Sequence, residues 1–268
     1  MKIWLFNDLT MFILSSILIT VLYMEDIMYQ FAEKHPIIFE LILIVVSFLL
    51  AGICVFAGNI LYLPAEFSSS IGRILTGLLL LFVYRKAFRT GRTFHNLFLF
   101  LPALAFCLWN LFYNLSSGMT IGGSSYFIEG FITAIAPAIF EEVIFRGIFL
   151  YNLKQNGCSD LKCMLISALV FSAVHLTNIA GLDLVSLALQ VIYSFVIGLV
   201  LAAVYLRNGS LLQVIFAHFL TDFSNRIFIE QASSTTTLQL ILFVLLLLAE
   251  TVYAFQLIRS NKKGEQLL

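Results

Sequence analysis

Long apolar runs alternate with short polar segments along nearly the whole chain. A helix needs roughly 20 mostly apolar residues to cross the hydrocarbon core of a bilayer. By that measure the candidate spans are Leu5–Tyr23, Ile37–Ala57, Phe67–Tyr84, Phe94–Leu115, Tyr126–Tyr151, Leu161–Ala180, Leu182–Leu206, Leu211–Ile229 and Leu238–Ile258. Asp8 and Arg73 interrupt the first and the third. The pattern therefore predicts an all-α fold, a polytopic transmembrane helix bundle of eight or nine helices. Met1, Lys2 and the run Ile3 to Leu22 have the look of a signal peptide but lack a small-x-small cleavage site, so a retained first helix is expected. No cysteine lies near Gln266-Leu267-Leu268, so the chain is not expected to be a prenylation substrate itself.

Charge placement orients the bundle. Arg85, Lys86, Arg89 and Arg92 lie between the third and fourth spans, Lys154 and Lys162 after the fifth, Arg207 after the seventh, and Arg259, Lys262 and Lys263 after the last. The alternate connections 116–125 and 181–183 hold no Lys or Arg, and the turn from Arg226 to Glu230 holds one charge of each sign. Basic loops stay on the cytoplasmic side, which predicts a cytoplasmic C-terminus. The short plain termini and few basic residues elsewhere fit a multi-pass protein of a bacterial plasma membrane.

Composition sharpens the class. Residues are 61% hydrophobic and 11% charged, with mean hydropathy +1.01, where soluble domains carry about 25% charged residues. Formal net charge is +0, which offers no face for a nucleic acid. Cys54, Cys107, Cys158 and Cys163 form no CxxC pair and read as apolar fillers. Without repeats or linkers, residues 1–268 read as a single integral-membrane domain, with a motif-bearing core at 126–226.

The exceptions to apolarity carry the chemistry. The fifth span holds Glu141, Glu142 and Arg146, the sixth holds Phe171 and His175, and the eighth holds His218 and Asp222. Each ionised residue at a helix centre costs about 2.5–3.5 kcal/mol of insertion free energy. The fifth span is thus tolerable only if its polar face looks into the bundle or a wet cavity. Glu142 and Arg146 are one helical turn apart and can pair, as are His218 and Asp222. Glu141 points about 100° away from Glu142, leaving one carboxylate for the arginine and one for a cavity. Pro137 removes a backbone donor and predicts a kink just above the site. At ~1.5 Å per residue, Glu141, His175 and His218 lie roughly 10–20 Å from the cytoplasmic helix ends, which predicts a common buried layer opening toward the cytoplasm.

Such a set suits water activation better than covalent catalysis. Ser172 is offset from His175 around the helix, and no GxSxG elbow is present. A partly desolvated Glu141 could act as general base, His175 could share the water or pass its proton on, and His218 could donate to the developing oxyanion. Glu141, His175 and His218 could also hold zinc, which takes three protein ligands plus water at catalytic sites, but no HExxH is present, so activation without a cofactor is the preferred reading and zinc the alternative. Phe171 reads as a packing residue.

Glu141-Glu142-x-x-x-Arg146, Phe171-x-x-x-His175 and His218-x-x-x-Asp222 resemble the three ordered motifs of the CPBP family of intramembrane proteases, which groups type II CAAX prenyl endopeptidases with bacteriocin-processing and self-immunity proteins. The resemblance covers about Tyr126 to Arg226. It implies catalytic roles for Glu141 and His175 in activating water, support from Glu142 and Arg146, and an oxyanion-stabilising pair at His218 and Asp222. Family members often have Asn where this chain has Asp222. An ionised Asp cannot donate a hydrogen bond, so Asp222 either stays protonated or only orients His218. The implied partners are a peptide or protein substrate, lipidated or membrane-embedded, and membrane lipids. A non-catalytic scaffold or bacteriocin-immunity protein keeping the fold is the alternative. A proton-relaying transporter would show inverted repeats or paired broken helices, and neither is seen.

Overall fold

The structure is a computed structural model and describes residues 26–85, 97–229 and 235–265. The candidate span Leu5–Tyr23 and the basic residues Lys86, Arg89 and Arg92 lie outside the described residues. Residues 26–34 are helical, and α1 (Pro36–Ile60) follows directly, with Pro36 at its first position where a missing N–H costs nothing. Next come α2 (Ala65–Val83), a 3-10 turn (Leu97–Phe100), α3 (Leu101–Ser116), the short strand β1 (Thr120–Ile121) and α4 (Ser124–Glu142). A π-helical stretch (Val143–Leu150) runs on from α4 into α5 (Tyr151–Gln155). The chain continues through α6 (Asp160–Val174), a 3-10 segment (His175–Ala180), α7 (Leu184–Asn208), α8 (Leu211–Arg226), β2 (Phe228–Ile229) and α9 (Thr237–Glu265). Six helical runs are long and apolar enough to cross a membrane among the described residues. The protein is an all-α, multi-pass membrane bundle.

Local chemistry sets the element ends. Asp183 caps α7 by accepting from the backbone N–H groups of Val185 (2.9 Å) and Ser186 (3.1 Å). Gly209 ends the same helix at φ 67°, the left-handed conformation that favours glycine. Ser210 then starts α8 by accepting from the Gln213 N–H at 3.2 Å. Two residues thus separate α7 from α8.

In the bundle, α4 lies between α2 and α8, α3 packs on α8, and α7 packs between α6 and α9. The π-helical stretch touches α1, α2, α6, α7 and α8, and all of its residues from Val143 to Leu150 are buried. It is the central pole of the molecule. Burial of Glu142 and Arg146 inside protein explains how the most polar span is accommodated. The outer helices carry the opposite pattern: Leu41, Val45 and Leu49 of α1 and Leu245, Leu248 and Val252 of α9 are all exposed, as lipid-facing positions are.

Three spans depart from the expected bounds. The run Tyr126–Tyr151 is not one regular α-helix but changes to π geometry after Glu142. The sixth span tightens to 3-10 geometry at His175. The eighth stops at Arg226, and Phe228–Ile229 pair antiparallel with Thr120–Ile121, Thr120 opposite Ile229. Strand pairing satisfies backbone groups that the helix end releases.

The two ends of the bundle differ in charge. At one end the Tyr84 hydroxyl donates to Asn152 Oδ1 at 2.8 Å, Tyr29 stacks on Tyr84 at 4.1 Å, and Lys154 pairs with Asp160 at 2.5 Å. Arg85, Lys162 and Arg207 belong to this end as well. At the other end the β1–β2 ribbon, the Tyr113–Thr235 contact (2.9 Å) and the Gln239–Ser116 bond (2.8 Å) tie the connections together. The alternation of charged loops expected from the sequence therefore corresponds to two distinct ends.

Candidate active site

Glu142 and Arg146 are fully buried, and Arg146 Nη1 donates to Glu142 Oε1 at 2.8 Å. The same oxygen accepts from His218 Nδ1, also at 2.8 Å. Because a carboxylate only accepts, Nδ1 carries a hydrogen and Nε2 faces away from Glu142. Two further carboxylates lie on that far side: Glu141 Oε2 and Asp222 Oδ1 are each 3.9 Å from His218 Nε2. That separation is too long for direct hydrogen bonds. Glu141 is 20% exposed where Glu142 is 0%, so the neighbouring glutamates divide as their offset around the helix predicts. On its second oxygen Asp222 faces Arg226 Nη2 at 3.9 Å.

The charged core is anchored further by backbone. Arg146 Nη2 donates to the Gly198 carbonyl at 3.3 Å. A Cβ at Gly198 would meet Ala168 Cα at 3.2 Å and Phe171 Cδ1 at 3.3 Å, so the glycine permits the close approach of α7 to α6. Glu142 Oε2 and Arg146 Nε have no hydrogen-bond partner among the described residues.

His175 joins this group through a ring. Its Nδ1 donates to the Phe171 carbonyl at 2.9 Å, which leaves Nε2 open as in His218. The Phe171 ring lies 5.0 Å from the His175 ring, 6.2 Å from the His218 ring and 4.5 Å from the Arg146 guanidinium carbon. Phe171 is a packing residue, as its type suggests, and it is packed among three of the motif side chains. Ser172 Oγ donates back to the Leu169 carbonyl at 3.0 Å within its own helix.

Thus Glu141, Glu142, Arg146, His218 and Asp222 share one polar cluster, and His175 borders it across Phe171. For zinc, Glu141, His175 and His218 would have to converge. Among the described residues no three His, Cys, Asp or Glu side chains take up metal-holding positions.

A cavity of about 1180 Å³ touches the cluster at Asp222, beside Thr221. Its walls include Glu129 and Thr133 of α4, Gln190 of α7 and Thr235, so it opens at the end with the β1–β2 ribbon. The depth estimate from the sequence predicts the opposite opening, toward the basic loops. At that end residues 86–96 lie outside the described residues. The cavity, the Phe171 bridge and the π geometry leave no periodic signal; small residues such as Gly198 are the one available cue to close helix contact.

Residues 123–224 match the family described as Type II CAAX prenyl endopeptidase Rce1-like. That range holds all seven motif residues, and it bears out the family resemblance. No curated protein and no solved structure matches the chain.

Proposed function

We propose that this chain, whose residues 123–224 belong to the type II CAAX endopeptidase family, hydrolyses a peptide bond within or beside the membrane by activating water at Glu141. The observation that carries the reading is the fixed pose of His218: Glu142 holds Nδ1 at 2.8 Å while Nε2 and Glu141 Oε2 stand 3.9 Å apart. A water seated beside this pair, within reach of both atoms, touches both a base and a donor. Glu141 takes a proton from it as the oxygen attacks the scissile carbonyl carbon. A carboxylate faces each ring nitrogen of His218, so the ring acts as a double donor, with Nε2–H directed at the developing oxyanion. On collapse the C–N bond breaks and the proton passes from Glu141 to the leaving amine nitrogen, with His175 as a second carrier at the cluster edge.

Glu142 and Arg146 are positioning residues in this scheme. Asp222 orients His218 rather than donating to the oxyanion, since its acceptor oxygen is the atom turned toward Nε2. The segregation of basic residues supports a cytoplasmic C-terminus, and we place the protein in a bacterial plasma membrane. Substrates by family likeness are prenylated CAAX peptides or leader and immunity peptides.

Purified wild type and the Glu141→Ala, His175→Ala and His218→Ala variants, incubated in detergent with a quenched peptide library including farnesylated C-termini, test the proposal. Cleavage by wild type alone, unaffected by a zinc chelator, is expected. Loss with chelator and recovery with zinc would replace glutamate alone by a metal. Folded wild type that cleaves nothing, with Glu141→Ala functional in the host, would establish a scaffold instead.

A further inference from the structure

We infer that Asn110 of α3 is a positioning residue for the catalytic cluster: it clamps α8 at the peptide unit leading into Asp222, and so fixes the rotation at which His218 meets Glu142. The inference rests on the protease reading for its catalytic meaning. It adds a residue that lies outside the three motifs and outside the matched range 123–224.

Both hydrogens of the Asn110 amide are used. Nδ2 donates to the Thr221 carbonyl at 2.9 Å and to Ser224 Oγ at 2.9 Å. Ser224 Oγ donates in turn to the same carbonyl at 2.8 Å, which closes a ring of three bonds between α3 and α8. Thr221 and Ser224 are both buried. Asparagine amides commonly join helices inside a membrane. This one grips backbone, and the carbonyl it grips belongs to the peptide plane that carries the Asp222 nitrogen. The grip therefore falls between the two motif residues of α8, His218 and Asp222.

Rotation is what such a clamp controls. Toward the other end of the same interface Phe100 meets Phe216 edge to face at 5.8 Å. Apolar contact is non-directional and tolerates a helix turning about its axis, whereas a hydrogen bond weakens steeply off its angle. Thr221 lies about 60° around α8 from His218, and Asp222 about 40° to the other side. A turn of about 15° moves a ring atom some 5 Å from the axis by about 1.3 Å. That shift would stretch the 2.8 Å bond from His218 Nδ1 to Glu142 and displace Nε2 from its place beside Glu141. Misplacement by about 1 Å can cost about 10²-fold in rate. Asn114, one turn further along α3, offers a contrast within the same interface. Its Nδ2 donates to Asn225 Oδ1 at 3.0 Å, beyond Asp222 and from side chain to side chain, so it joins the helices without holding the backbone.

The test compares Asn110→Leu, which keeps the volume and removes both donors, with Asn114→Leu and Ser224→Ala in the full-length protein in detergent. With the same quenched peptides, Asn110→Leu should lower kcat by about 10-fold or more with KM within about twofold. Asn114→Leu should lower the melting temperature yet hold kcat within about twofold. A second readout is independent of turnover. In NMR of protein carrying nitrogen-labelled histidine, the Nδ1–H signal of His218, identified by its loss in His218→Gln, should shift or broaden in Asn110→Leu and stay in Asn114→Leu. Equal kcat losses in the two asparagine variants, wild-type kcat in folded Asn110→Leu, or an unmoved His218 signal would each overturn the inference and leave the protease reading standing. Should Asn110→Leu not fold, Ser224→Ala decides: a kcat loss of about threefold or more at unchanged KM upholds the clamp, and wild-type kcat overturns it. Folded wild type that cleaves nothing removes the protease reading, and the clamp is then judged on the His218 signal alone.

Discussion

Glu142 Oε1 accepts from His218 Nδ1 at 2.8 Å across 76 residues of sequence, and the same atom accepts from Arg146. One buried oxygen thereby fixes both an arginine and the histidine that faces Glu141. The arrangement ties α8 to the central pole and sets which ring nitrogen looks toward Glu141.

Breaking this pairing from either side should be costly. Arg146→Met leaves Glu142 buried without its cation, and losing one partner of a buried pair typically costs about 3–5 kcal/mol. Glu142→Gln keeps the shape and one acceptor oxygen, so it should fold yet lower kcat by about 10²-fold through misplacement of His218. Thermal unfolding in detergent and peptide cleavage separate the two effects. Wild-type kcat in Glu142→Gln would show that the histidine is held by something else.

Phe171 should couple energetically to Arg146. Its ring sits 4.5 Å from the guanidinium carbon in a desolvated setting, where a cation–π contact is worth about 2 kcal/mol. A double-mutant cycle of Phe171→Leu and Arg146→Met should return a coupling of that order. Strictly additive stabilities would mean that the ring only fills space.

Asp222 faces Nε2 of His218 as an acceptor, so both Asp222→Ala and Asp222→Asn should reduce kcat/KM by about 10-fold, less than Glu141→Ala does. Activity of Asp222→Asn above wild type would instead place this residue in the oxyanion position, where an amide can donate.

Asp183 gives a pH signature outside the membrane. Its carboxyl is held below the usual range, first by the Ser186 hydroxyl and then by the Ser186 and Val185 N–H groups. A depressed folded-state value contributes stability above the ordinary carboxylate pKa that is lost as pH falls through the folded value. The gap in melting temperature between wild type and Asp183→Ala should be full near neutral pH and close below about pH 4. A gap that persists at low pH would leave the cap without a charge component.

The sequence by itself determined the class of solvent, the all-α multi-pass architecture and the three motif segments, because these depend on local hydropathy and on one-turn spacings along single helices, whereas the eight or nine spans it suggested compare with six among the described residues. The division of labour between Glu141 and Glu142 was legible in the same way, since successive helical residues must face apart. What only the tertiary structure decided was which partners meet across helices. Glu142 and His218, Arg146 and the Gly198 carbonyl, and Phe171 among three motif residues are pairs distant in sequence that no periodicity encodes. The π turn after Glu142 and the stop of α8 at Arg226 followed from surrounding packing and from strand pairing, which override local helical preference. The cavity was decided by which side chains α2, α3, α4, α7, α8 and α9 bring together near the β1–β2 ribbon, and that is a property of the assembled bundle alone.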